Sequence, residues 1–332
     1  MYFKKIRNTI TTLLIILLML VPELVLAYSE SIIASGKNIG IELKSKGIII
    51  VGTYQVGNKD PAYEANLQTG DKIISVNGIK VSSIEEMLEA IDLRDSENSL
   101  NITYLRGSKE LNTILNLEKD NNDVYKTGLY VKDSISGVGT LTFIDPGTKL
   151  YGALGHEILE KATGQKLEIK DGKIYESTVT SITPSENGNP GEKNVNYDTS
   201  KIYGNVKENT EYGIFGTYTD KLPDTNLYKV AKIDDIELGN ATMLTVIDNN
   251  EIKKYDINII KINKETTGNK NILFEITDNE LLRKTGGIIQ GMSGSPIIQK
   301  DYIIGAVTHV VVDDPTKGYG VFITNMLEEA EN

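Results

Sequence analysis

Short apolar runs separated by turn residues dominate this chain, and a 3.6-residue rhythm is rare. Gly47–Val51, Ile73–Val76, Leu129–Val131, Gly139–Ile144, Leu167–Ile169 and Ile174–Thr180 read as strands, as do Met243–Ile247 and Ile252–Ile262. Turns are expected at Gly70-Asp71, Asn77-Gly78, Arg106-Gly107, Asp171-Gly172 and Asp248–Glu251. One helix is clear. Ser83 and Glu86 make a capping box, and Ile84, Met87, Leu88 and Ile91 fall on one face behind it. Glu118–Asp123 is charged and amide-rich and reads as a linker. Before it stands a small α+β module closed by strands within Asn101–Leu117. After it the strands crowd together as in a β-barrel or a pair of barrels.

Composition adds little to that picture except at the amino terminus. The 332 residues suit two or more domains, and 17 Tyr and 30 Gly with no Cys or Trp agree with a turn-rich β fold. Lys4, Lys5 and Arg7 precede an apolar run from Ile10 to Val21, with Leu24–Ala27 behind it, so residues 1–27 read as a signal peptide or a membrane anchor. The rest is then exported. Those three cations against Glu23 give +2, which leaves −13 for the remainder of a formal −11. So acidic a body disfavours nucleic acid and anionic lipid as partners. Without cysteine there is no disulfide framework and no cysteine nucleophile.

The candidate chemistry lies near the carboxyl end, in Gly286–His309, GGIIQGMSGSPIIQKDYIIGAVTH. Gly291, Gly294 and Pro296 force an irregular turn between two strands. A serine at such a corner presents its hydroxyl beside unpaired backbone N–H groups, the arrangement acyl transfer needs. Only two histidines exist. His156, at a glycine-flanked corner in YGALGHE, suits a general base; His309, inside an apolar run, reads as a packed strand residue. Neither a metal site nor a cofactor is expected, because the histidines form no close pair and the acids are scattered. Asn187–Asn194 lacks the ending of a phosphate loop and reads as a surface loop.

Pro61-Ala62, Ala65, Leu67, Gly70-Asp71, Ile73 and Val76-Asn77-Gly78 form a string that resembles a PDZ domain. That resemblance implies a peptide added as a strand beside a carboxylate loop at Asn38, Ile39, Gly40 and Ile41, with Ile84–Ile91 as the groove wall.

The order of that module, YGALGH, GNVKENTEYGIFG (Gly204–Gly216), TGGIIQGMSGSP and IGAVTHV resembles the SpoIVB peptidase family of endospore-forming bacteria. The likeness implies a signal or anchor over 1–27, a PDZ domain over 28–119, and a chymotrypsin-like double β-barrel over 120–332. It implies Ser293 as nucleophile, His156 as base, and the N–H groups of Gly291 and Ser293 as oxyanion hole. Asp278 would be the acid, with a helix-capping role as its rival reading and Asp234 or Asp235 as alternatives. The family further implies limited regulatory proteolysis in sporulation signalling, self-cleavage included, in the space between forespore and mother-cell membranes. The partner would be a membrane-linked regulator of an intramembrane peptidase. The competing reading is a non-catalytic exported PDZ scaffold.

Overall fold

A computed structural model describes residues 28–93, 98–225, 227–248, 250–264 and 267–332. The expected signal or anchor, residues 1–27, lies outside them. In chain order the elements are β1 (Ser31–Ala34), β2 (Asn38–Thr53), α1 (Pro61–Glu64), β3 (Lys72–Val76), β4 (Ile79–Lys80), α2 (Ile84–Asp92), β5 (Ser99–Arg106) and β6 (Lys109–Asn116). They continue with β7 (Glu118–Lys119), β8 (Tyr125–Lys126), β9 (Leu129–Ile144), β10 (Leu150–Ala153), β11 (Ile169–Thr183), β12 (Glu192–Val206), β13 (Glu208–Thr210), β14 (Gly213–Thr217) and β15 (Leu227–Val230). The last part holds β16 (Gly239–Val246), β17 (Ile252–Ile262), β18 (Ile272–Ile276), α3 (Asn279–Thr285), β19 (Pro296–Gln299), β20 (Tyr302–Val310), β21 (Lys317–Phe322) and α4 (Ile323–Glu331).

Two barrels close on themselves. The first runs β2, β9, β10, β14, β12, β11 and back to β2, with β14 meeting β12 through the Gly204–Tyr218 bridge. Ile39, Ile41, Leu43, Leu141, Tyr151, Ile174 and Ile214 fill it. The second runs β16, β17, β18, β21, β20, β19 and back to β16, around Met243, Tyr255, Ile257, Phe274, Ile297 and Val307. Between them β1 pairs with both β9 and β15, and β15 lies parallel to β20. Helix α4 packs Ile323, Met326 and Leu327 against Phe143 and Phe215 in this seam.

The 16-residue strand β2, on the amino-terminal side of the expected division at residue 119, serves two cores. Its first half lies in the first barrel, whereas Ile48 and Ile50 sit with Ile73, Val76, Met87 and Leu115 in the core of the PDZ-type module. The register slips between Lys44 and Ile49, where the Ser45 hydroxyl bonds the Gly47 carbonyl. Strand β9 does the same in the opposite direction. Leu129–Lys132 extend the module's sheet beside β2, and Gly139–Ile144 belong to the barrel. The segments read separately as Leu129–Val131 and Gly139–Ile144 are therefore one strand. The module is an insertion into a barrel, not a domain strung in front of one.

Asn38, Ile39, Gly40 and Ile41 therefore form no carboxylate loop. They are buried, and both edges of their strand are taken, by β9 on one side and β11 on the other, so no peptide can add there. Asp171-Gly172 makes no hairpin either; both residues lie within β11. Gly172 is needed for close approach, since a Cβ there would come within 2.6 Å of Leu43 Cδ2. The helical expectation holds: Ser83 caps α2, with its hydroxyl accepting from the Glu86 N–H at 3.2 Å.

Candidate active site

Barrel one grips a loop of barrel two. After α3 the chain turns through Gly291 (φ +94°) and Gly294 (φ +90°), conformations that disfavour a side chain. A Cβ at Gly294 would sit 2.1 Å from the Thr140 carbonyl, so only glycine fits. From β9, the Thr140 and Thr142 hydroxyls donate to the carbonyls of Gly291 (2.8 Å) and Gly294 (2.7 Å), and the Thr140 N–H donates to the Ser293 carbonyl (2.9 Å). The loop's own Gly294 N–H is used by Val307 and its Ser295 N–H by Met292. Among the described residues, the Gly291 and Ser293 N–H groups find no protein acceptor. Two free donors thus stand beside the Ser293 hydroxyl, the geometry that stabilises an oxyanion. That hydroxyl donates to the Thr308 carbonyl at 3.0 Å.

His156 enters from the other wall. Leu154 and Gly155 are both left-handed (φ +72°), and this corner after β10 turns the imidazole into the cleft. Its Nδ1 lies 2.8 Å from the Glu157 carbonyl. A carbonyl only accepts, so Nδ1 carries the proton and Nε2 keeps a lone pair. Burial holds the His156 pKa below the usual imidazole value, with the nearby Glu157 opposing it. His309, expected as a packed strand residue, also lines the cleft, its ring 5.3 Å from that of His156. Its Nδ1 is buried without a partner, and burial followed by the His156 charge pushes its pKa down to about 4. It is therefore neutral at pH 7. Its signal in the sequence was weak because the apolar run around it conceals a residue at the cleft edge.

The cleft, about 530 Å³, is lined by Ser293, His156, His309, Gln290, Glu157 and Ile135–Val138 among others. Asp278 is not among them. It caps α3, its Oδ1 accepting from the Leu281 N–H at 2.8 Å, which is the rival reading of that residue. Asp234 and Asp235 sit in a short 3-10 turn and do not line the cleft either. No group of three or more His, Asp or Glu among the described residues could hold a metal ion.

Residues 123–327 match the family model described as SpoIVB peptidase S55. The chain belongs to that family. Residues 38–117 match a PDZ domain model, so this S55 peptidase is a serine peptidase that carries a PDZ domain. Among curated proteins, none matches it. Of solved structures, the active form of the Rv3671c protease from M. tuberculosis is similar at 14% identity and a TM-score of 0.33, over 59% of this chain and 74% of that one. Its inactive form gives 15% and 0.31, over 59% and 85%. The PDZ domain of the SdrC-like protein Lmo2051 from Listeria monocytogenes gives 22% and 0.23, over 26% and 90%.

One residue that the sequence hid lies directly behind the Ser293 loop of this S55 peptidase. Lys193, read as part of a surface loop, is on β12 and only 5% exposed. Its Nζ reaches Thr245 Oγ1 (3.1 Å) and Asn38 Oδ1 (3.5 Å), and its stem lies against Gly291. No carboxylate pairs with it among the described residues, and burial pushes its pKa down to about 7.

Proposed function

We propose that this S55 peptidase is an exported serine endopeptidase that makes limited, regulatory cuts in sporulation signalling, its own chain included. The observation that carries the chemistry is the pair of unused N–H groups at Gly291 and Ser293, next to a hydroxyl and across a cleft from a histidine of fixed tautomer. In this reading the Ser293 hydroxyl leaves the Thr308 carbonyl and passes its proton to His156 Nε2 as Oγ attacks the peptide carbonyl. The oxyanion forms against the two N–H groups, each worth about 3 kcal/mol in the transition state. His156 then protonates the leaving amine, and water releases the acyl-enzyme.

The orienting job of an acid falls to the Glu157 carbonyl, which holds the Nδ1 proton. Neutral His309 packs behind the imidazole without competing for its charge. Export rests on the apolar amino-terminal segment, and the sporulation role and a membrane-linked regulator as partner rest on the family resemblance.

The test follows the chain from Tyr28 onward, alongside Ser293→Ala, by gel and intact mass over time. The parent is expected to clip itself in its amino-terminal part while the variant stays whole. Equal clipping of both refutes Ser293 as nucleophile.

A further inference from the structure

Strand β9 carries two sites on one edge. At its start, Leu129–Lys132 pair with Ile49–Thr53 of β2, and α2 lies against them, pinned where Asp133 Oδ2 accepts from the Ile84 N–H at 2.8 Å. Further along, Ile135–Val138 line the cleft that holds Ser293. From Leu129 to Val138 the strand has β2 on one edge and no strand on the other among the described residues.

The direction of that free edge is readable. Thr140 sends its N–H to the Ser293 carbonyl and receives the Leu154 N–H on its own carbonyl, so both its polar groups point away from β2. Backbone groups alternate with period two in an antiparallel ladder, so Val138 and Ser136 present an N–H and a C=O to the same open side. Along the module part, Ile84, Leu88 and Ile91 of α2 form a partly exposed apolar row, with Leu88 56% exposed.

The two sides of a bound substrate divide by chemistry. The Thr308 carbonyl of β20 already faces the Ser293 hydroxyl, and in the resting enzyme it accepts that proton. Once the hydroxyl turns to His156, this carbonyl is free for an N–H on the acyl side of the scissile bond. His156 must protonate the leaving amine, and it stands on the first barrel with β9. The leaving segment therefore falls on β9.

We propose that the substrate segment on the carboxyl side of the cut adds to β9 as an antiparallel strand, bonds Val138 and Ser136, and ends against α2. The inference rests on the peptidase reading above and names the substrate class of that same site: an unstructured polypeptide with a long tail beyond the cut. At about 3.3 Å per residue, the stretch from Thr140 back to Ser134 takes roughly six residues of extended peptide before the tail meets α2 at Asp133. The PDZ-type module is then a ruler for the length of chain beyond the cut and not a separate docking arm. Continuity of one strand edge with the catalytic cleft carries the choice of occupant. A second, unrelated ligand would compete with the substrate for the same backbone groups.

The full-length protein is incubated with a pool of unstructured 24-residue synthetic peptides, and the cut positions are read by mass spectrometry. Cuts that leave ten or more residues downstream are expected to outpace cuts that leave fewer than five. The ratio is about fivefold, the size expected from burying a half-exposed leucine. In Leu88→Glu that ratio falls towards one, and thermal melting confirms an intact fold at this exposed position. Absence of any downstream preference in the parent, or an unchanged ratio in Leu88→Glu, overturns the proposal while the peptidase reading stands. Cutting that persists in Ser293→Ala, or no cutting at all, overturns the peptidase reading and this inference with it.

Discussion

Replacing Lys193 with methionine tests whether a lone ammonium is held inside this protein. The side chain is 5% exposed, has two hydroxyl or amide partners and no carboxylate, and its pKa falls from 10.5 to about 7. Because the group is lowered in the fold, the unfolded chain binds its proton up to about 10.5 while the folded chain releases it near 7. Stability therefore rises with pH across that window, and below 7 the full penalty stays in place. At about 1.4 kcal/mol per pH unit, keeping this amine buried costs roughly 4 kcal/mol at pH 7 and little more than 1 kcal/mol at pH 9.5. Lys193→Met keeps the stem that lies on Gly291 and removes the charge. It forgoes hydrogen bonds worth about 1 kcal/mol. Urea unfolding of both proteins should show the variant more stable by about 3 kcal/mol at pH 7, an advantage that shrinks away by pH 9.5. If the two proteins share one dependence on pH, the amine reaches water or an acid in solution, and the reasoning is wrong.

Asp278 gives a sharper contrast. Asparagine caps a helix as well as aspartate does, so Asp278→Asn should leave both melting and turnover unchanged, whereas Asp278→Ala should cost about 1 kcal/mol of stability. If Asp278 were the acid of the triad, Asp278→Asn would lower kcat by about 10⁴-fold, and steady-state kinetics on the folded variant decide it. The pH profile offers an independent check. His156 must be neutral to accept the serine proton, and burial lowers its pKa, so the acid limb of kcat/KM should fall below pH 6.5. A limb above pH 7 would mean that a carboxylate stabilises the imidazolium.

What could be read from the residues alone was whatever depends on neighbours along the chain. The Ser83 cap and the strands on either side of Asp248 appear where expected, because alternation and capping chemistry are local. Ser293 and His156, which line one cleft in the structure, stood out in the sequence because left-handed corners flank them and glycines mark such corners. Partners distant along the chain were not visible. Asn38–Ile41 look like a loop and strand of a peptide-binding module, but a strand at residues 129–144 and another at 169–183 compete for both their edges and win. Glycine is ambiguous in the same way: Gly172 reads as a turn yet serves close packing. Lys193 gave no signal at all, since a lysine in a polar stretch is ordinarily solvated.

Because β2 leaves the first barrel and β9 returns to it, Lys44 and Ser134 face each other as direct cross-strand partners. Everything between them is, in topological terms, one very long hairpin loop. The peptidase is thus discontinuous in sequence but continuous in space. Joining Lys44 to Ser134 through a two-residue Asn-Gly turn would close that hairpin and leave both barrels with every strand they now have. A cut at residue 119 would instead strip the first barrel of β2 and the module of its β9 edge.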